Sequence, residues 1–168
     1  MDAPVQLELL TMDHARLLER FERDNRVFFA ARIGDRGDDY FIHFDDRLAV
    51  LVQENRDGTS LFSVVVDGSG EIVGRVNIND IDRPEVSEIG FRVAERAQGR
   101  GIASTGVTLA LDLASRHGVQ SVYARVSTIN LTSQRVLERC GFEPTGRAEP
   151  PEVSSKTFIG YRWHRETR

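Results

Sequence analysis

Gln98-Gly99-Arg100-Gly101-Ile102-Ala103 places two glycines and an arginine where a strand pattern gives way to a long apolar helix pattern. The chemistry that fits this arrangement is anion binding. The first amides of a helix lack intrahelical acceptors, so they can donate to phosphate oxygens, and glycines let the backbone approach a ligand. The helix dipole adds about 0.3–1 kcal/mol for a nearby exposed anion, and Arg100 supplies a full charge. A tight strand-to-helix turn would use the same glycines, and local spacing leaves that reading open. A nucleotide P-loop is excluded by the absent Gly-Lys-Ser/Thr, and a dinucleotide fingerprint is weakened by Ser104 at the third glycine position.

The elements around this segment follow from periodicity. Upstream, Val86 to Val93 alternates, with Ile89, Phe91 and Val93 on one face and Glu88, Gly90 and Arg92 on the other, which predicts a strand. Downstream, Ile102, Gly106, Leu109 and Leu113 recur at helical spacing until Gly118. Nearer the N-terminus, Val5–Leu10 reads as a strand, and Thr11 or Asp13 opens a helix through Ala15, Leu17, Leu18 and Phe21. An aromatic stretch at Val27-Phe28-Phe29 and a polar loop at Gly34–Asp38 precede a longer helix through Phe41, Phe44, Leu48, Leu51 and Val52. Leu61–Val66 and Ile72–Ile78 are strands joined by a hairpin turn at Asp67-Gly68-Ser69-Gly70. Ser121–Val126 and Phe158–Trp163 read as strands, and Asn130–Cys140 as a helix capped by Asn130 and stopped by Gly141 before Phe142 opens another strand. Antiparallel strands followed by strand-helix-strand predict an α/β (α+β) domain, a mixed sheet with helices on both faces. No repeat or linker divides residues 1–168.

With 22 basic against 26 acidic residues, a net charge of −4 and a pI near 5.6, no global basic field points to nucleic acid or an anionic membrane. Cys140 is the only cysteine, which excludes an intrachain disulfide and fits a reducing compartment. His14, His43, His117 and His164 show no metal-ligand spacing, so no metal is assigned. No apolar run approaches the roughly 20 residues of a membrane span, and the expected location is cytoplasmic.

Gln98-x-x-Gly101-x-Ala103 after a strand, with Asn130-x-x-Ser133 and Gly141-Phe142 about 40 residues on, resembles the GNAT superfamily of acyl-CoA N-acetyltransferases. Arg135-Val136-Leu137-Glu138 through Gly141-Phe142 is most similar to its ribosomal-protein N-terminal alanine acetyltransferase branch, the RimJ/RimL-like group. The motifs are specific between Glu88 and Phe142; from Val5 to Arg83 only the layout matches. The resemblance implies a mostly antiparallel sheet of about six to seven strands, splayed between Glu88–Val93 and Ser121–Val126. Acetyl-CoA's pantetheine would lie in that gap against the main chain of Phe91, Arg92 and Val93, where an amide polarises the thioester. Its pyrophosphate would rest on Gln98, Gly99, Arg100, Gly101, Ile102, Ala103 and Ser104. Asn130 and Ser133 would approach the pantetheine arm and sulfur.

The implied reaction is direct attack of a primary amine, a protein N-terminal α-amine or a small amine, in a ternary complex. An α-amine, with pKa near 7.7–8.0, is partly neutral at pH 7, whereas a lysine amine near 10.4 is almost wholly protonated. Glu88 is the candidate base, directly or through water, and a solvated or substrate-attracting carboxylate is the competing role. Glu149 and Glu152 are rivals in the loop before the last strand. Many relatives protonate the leaving thiolate with a tyrosine where this chain has Leu137, so Ser133 takes the donor role, its own competing role being a bond within its helix. Arg147 to Glu152 also departs from the glycine- and aspartate-bearing pattern of that branch, which leaves the acceptor open. A non-catalytic acyl-CoA sensor and a domain whose glycines serve only the turn are the alternatives. The oligomeric state, a homodimer included, is open as well.

Overall fold

Runs rich in β-branched residues form the middle of the sheet, in a computed structural model that describes residues 4–151 and 154–167. β2 (Leu61–Val66) and β3 (Ile72–Asn79) pair antiparallel through the Asp67–Gly70 turn, in which the Asp67 carboxylate accepts from the Ser69 and Glu71 amides. β1 (Gln6–Leu9) joins β2, and β4 (Glu88–Val93) joins β3. Beyond β4 lie β5 (Ser121–Ser127), β7 (Phe158–His164) and β6 (Glu143–Ala148), giving the order β1-β2-β3-β4-β5-β7-β6. Every neighbouring pair is antiparallel except β4 with β5, so the mostly antiparallel sheet expected with about six to seven strands is present with seven.

Helices cover both faces. On one lie α1 (Ala15–Asp24), α2 (Arg26–Arg32), α3 (Asp38–Ile42) and α4 (Phe44–Asp57); on the other lie α5 (Ile102–Arg116) and α6 (Leu131–Arg139). α5 sits low on the sheet at Gly106: a Cβ there would be 3.0 Å from Val65 Cγ2 and 3.2 Å from Val76 Cγ2. Ile89, Val93, Val76, Val122 and Ala124 face this helix layer and are buried. The opposite face carries the buried Phe62, Val64 and Val73 under α1–α4, and toward β4 the register adds a polar patch by setting Arg75 beside Arg92 and Asn77 beside Gly90.

The predicted strand from Val86 begins only at Glu88, since the Ser87 hydroxyl donates to the carbonyls of Asp80 and Arg83 and holds the preceding turn. The predicted long helix from Phe41 is two helices that meet at His43 (φ −105°, ψ 27°). Phe41, Phe44, Leu48 and Val52 are buried on both sides of that break, so the apolar spacing hid it. The Val27-Phe28-Phe29 stretch lies in α2, with Phe29 buried and Val27 at 85% exposure.

Candidate active site

After Val93 the chain makes one 3₁₀ turn (Glu95–Ala97) and then the glycine loop. Gly99 and Gly101 both have φ of +73°, in the left-handed region, and Gly101 is the N-cap of α5. An added Cβ at either would meet nothing within 4 Å, so conformation and not crowding calls for glycine here. The first helical bond runs from Thr105 N to Gly101 O, leaving the amides of Ile102, Ala103 and Ser104 at the orphan first turn. Gln98 donates from Nε2 to Val93 O at 2.8 Å and so ties this loop to the end of β4.

β4 and β5 touch at a single residue pair, Glu88 with Tyr123, where Tyr123 N donates to Ser87 O at 2.8 Å. Past that point the parallel strands diverge. Ala94 N donates to Val73 O, and antiparallel bonds recur every second residue, so the Arg92 amide faces β3 while those of Phe91 and Val93 face the gap. An extended chain carrying amide groups fits such a half-paired edge, with a phosphate-bearing end able to reach the α5 loop. The amides of Phe91 and Val93 are therefore open to the gap, whereas the main-chain contact expected at Arg92 is corrected, its amide being directed to β3.

The gap opens into a cavity of about 600 Å³, within the usual range for small-ligand sites. Asn130, Ser133 and Leu137 of α6 and Phe91 of β4 line it. Asn130 caps α6, its Oδ1 accepting from Ser133 N at 3.2 Å. Among the described residues no hydrogen bond engages the Ser133 hydroxyl, so the intrahelical bond that would have been its competing role is not made. Leu137 is 1% exposed, and α6 offers no tyrosine hydroxyl to the cavity.

Glu88 lies at the closed end of the splay. Arg125 donates to both of its oxygens, from Nε at 2.8 Å and from Nη2 at 2.9 Å, and from Nη1 to Glu149 O at 3.2 Å. The bond to Glu88 raises the pKa of Arg125, which stays charged. Glu149 itself is exposed, and Glu152 lies outside the described residues.

A second cluster lies under α1, across the sheet from α5, and sequence reasoning missed it. Glu22 of α1, 1% exposed, receives Arg75 at 2.8 Å, Arg36 at 3.1 Å and Arg92 at 3.3 Å. Arg75 also donates to the Tyr40 hydroxyl at 3.3 Å, while Arg36 stacks on Tyr40 and Arg92 on Phe29. Burial alone would raise the Glu22 pKa, but Arg92, Arg36 and Arg75 together outweigh it and hold the carboxyl below its ordinary value. Arg92 moves the opposite way to an ordinary ion-paired arginine: burial, and then the charge of Arg36, push it down to about 10, more than Glu22 restores. One carboxylate therefore does not satisfy three guanidiniums. No stretch of local sequence signals this cluster, because Arg36, Arg75 and Arg92 lie 14, 53 and 70 residues from Glu22.

Among the described residues no group of three His, Cys, Asp or Glu is placed to hold a metal ion, and no helix is long and apolar enough to cross a membrane. The Acetyltransferase (GNAT) domain profile matches residues 6–143. The chain is 29% identical over 133 residues to the probable N-acetyltransferase YjcK of Bacillus subtilis, covering 76% of this chain and 74% of that protein. Among solved structures, the ribosomal-protein-S5-alanine acetyltransferase of Vibrio fischeri superposes with a TM-score of 0.87 at 22% identity, covering 95% and 92% of the two chains. Mycobacterium smegmatis RimJ, solved with CoA-disulfide, superposes at 0.84 and 21% identity, covering 96% and 82%. With a domain match that runs from β1 to the start of β6, the chain belongs to the GNAT acetyltransferases and is an acetyl-CoA-dependent N-acetyltransferase.

Proposed function

We propose that this enzyme transfers the acetyl group to a protein N-terminal α-amine or a small primary amine, by direct attack within a ternary complex. The observation that carries the direct-transfer reading is one cavity lined both by the splayed edge of β4 and by the acceptor-side residues of α2 and the α2–α3 loop, so donor and amine meet without an acyl-enzyme. Acetyl-CoA supplies the thioester carbonyl and a thiolate leaving group. Phe91 and Val93 present gap-facing amides, and an amide placed there stabilises the charge that develops on the carbonyl oxygen, an effect of several kcal/mol in other enzymes. The loop from Gln98 to Ser104 anchors the diphosphate end. A panel of peptide N-termini and small amines, read by free-thiol release, tests transfer; acetyl-CoA binding without release on any amine would favour the sensor alternative.

Ser133 is the thiolate's proton donor in this reading, which is supported by its place among the residues that line the cavity with Asn130. Ser133→Ala is expected to lower kcat at least about tenfold, within the 10²–10⁴-fold ascribed to general acid–base groups, with the acetyl-CoA Kd changed less than about twofold. An equal loss in both would make the hydroxyl a binding contact.

Glu88 receives the amine's proton through water in this reading. Its pair with Arg125 leaves one lone pair on each oxygen for that purpose. An α-amine is already about 10–20% neutral at pH 7, so base assistance is worth no more than about tenfold there. Glu88→Gln is accordingly expected to cut kcat up to about tenfold near pH 7, a deficit that closes above about pH 9, where the α-amine is already neutral. A deficit of the same size at both pH values would restrict Glu88 to holding Arg125.

A further inference from the structure

The cavity wall is far more basic than the chain that builds it. Arg32, Arg36, Arg75 and Arg92 line its α1–α3 side, and Arg47, Arg125 and Lys156 add to it, with Asp35 the one carboxylate among the described lining residues. Asp35 is already engaged by Arg26, which lies outside the wall. Glu22 behind the wall, Asp39 on Arg47 and Glu88 on Arg125 are the remaining counter-charges. Seven cations thus face four carboxylates, in a protein whose net charge is −4.

Two observations separate this excess from an ordinary structural ion pair. Arg75, with its side chain 4% exposed, has its Nε buried and without an acceptor, and Asn77 Oδ1, also in the wall, is buried without a donor, so a ligand with an anionic oxygen and a nearby N–H would meet both. A buried donor left unmade costs about 1–3 kcal/mol, which a ligand acceptor would recover. The donor's phosphates do not meet this need, since none of Gln98 to Ser104 lines the cavity.

Resting on the acetyltransferase reading above, we propose that the acceptor is an amine that also bears an anionic group, a carboxylate or a phosphate, which docks on Arg36, Arg75 and Arg92 beside the reacting nitrogen. Planar guanidiniums bind either anion through paired N–H donors, and the low exposure of Arg75 and Arg92 strengthens such bonds. The anion holds the amine's own chain in place, so the wall acts in substrate choice. Polycationic amines are disfavoured, because the same wall repels them.

Matched acceptors with amidated C-termini decide it: Ala-Asp-amide against Ala-Asn-amide for a carboxylate, O-phosphoserine amide against serine amide for a phosphate, and spermidine as the polycation. The expected result is a kcat/KM at least tenfold higher for the anionic member of one pair, the responding pair naming the anion. In Arg36→Gln that ratio falls below about twofold, with the acetyl-CoA KM unchanged. Equal rates across both pairs, or spermidine as the best acceptor, would overturn the proposal. Should no panel member be acetylated, inorganic phosphate and acetate are titrated against acetyl-CoA-saturated enzyme by thermal melting. Stabilisation that Arg36→Gln loses sustains the anion site; none, or the same in both proteins, overturns it. Failure of acetyl-CoA to bind would instead sink the donor reading, and the Arg36-dependent melting shift would still report on the anion site.

Discussion

Gly101→Trp is expected to weaken acetyl-CoA binding by at least about 100-fold, roughly 2.7 kcal/mol, with the fold intact. A Cβ at this position meets no protein atom within 4 Å, so the indole has no core to disrupt and projects into the space above the first-turn amides. The left-handed φ of +73° adds about 1–2 kcal/mol of backbone strain for a residue with a side chain. Gly101→Asn separates the two effects, since asparagine tolerates that backbone and is small; its loss of affinity should be several-fold smaller. Calorimetric titration of the three proteins checks this, and wild-type affinity in the tryptophan variant would place the diphosphate elsewhere.

Glu22→Gln is expected to be the most destabilising conservative substitution in the chain. It leaves Arg75 and Arg92 in a buried site without a carboxylate, a change of the kind that costs about 3–5 kcal/mol. At about 2–4 °C per kcal/mol for a chain of this size, the melting temperature should fall by roughly 6–20 °C near neutral pH. The pH dependence has a definite sign. The folded carboxyl has a lowered pKa, so its contribution is complete above the unfolded value near 4.3 and is lost as pH falls through the folded value. The gap between wild type and variant should therefore be constant above about pH 5 and close progressively below about pH 4. Melts from pH 3 to 7 test it, and a gap that persists at low pH would remove Glu22 from the acid-sensitive part of the stability.

What was legible in the sequence was local. The two-residue period of Glu88–Val93 gave the right faces, because alternation is a property of one strand, and the glycine loop announced its backbone through residue type alone. The proposed donor half of the site is built from such short-range features. The arginine cluster is not: Glu22, Arg36, Arg75 and Arg92 come from α1, the α2–α3 loop, β3 and β4, and meet only because the sheet register sets Arg75 beside Arg92 under α1. Arg92 illustrates the difference, since its place in the strand was readable while its side-chain partner, 70 residues away, was not. The break at His43 escaped for a related reason, as the apolar spacing stays in phase across two helices.

The single residue pair that joins β4 to β5 divides the enzyme's evolutionary freedom unevenly. In the proposed site, donor recognition rests on main-chain amides and two glycines, and most side-chain replacements cannot erase a main-chain amide. Proposed acceptor recognition rests on side chains from four separate elements, each replaceable by one codon change. On that reading drift and selection can rewrite what receives the acetyl group while what delivers it stays fixed.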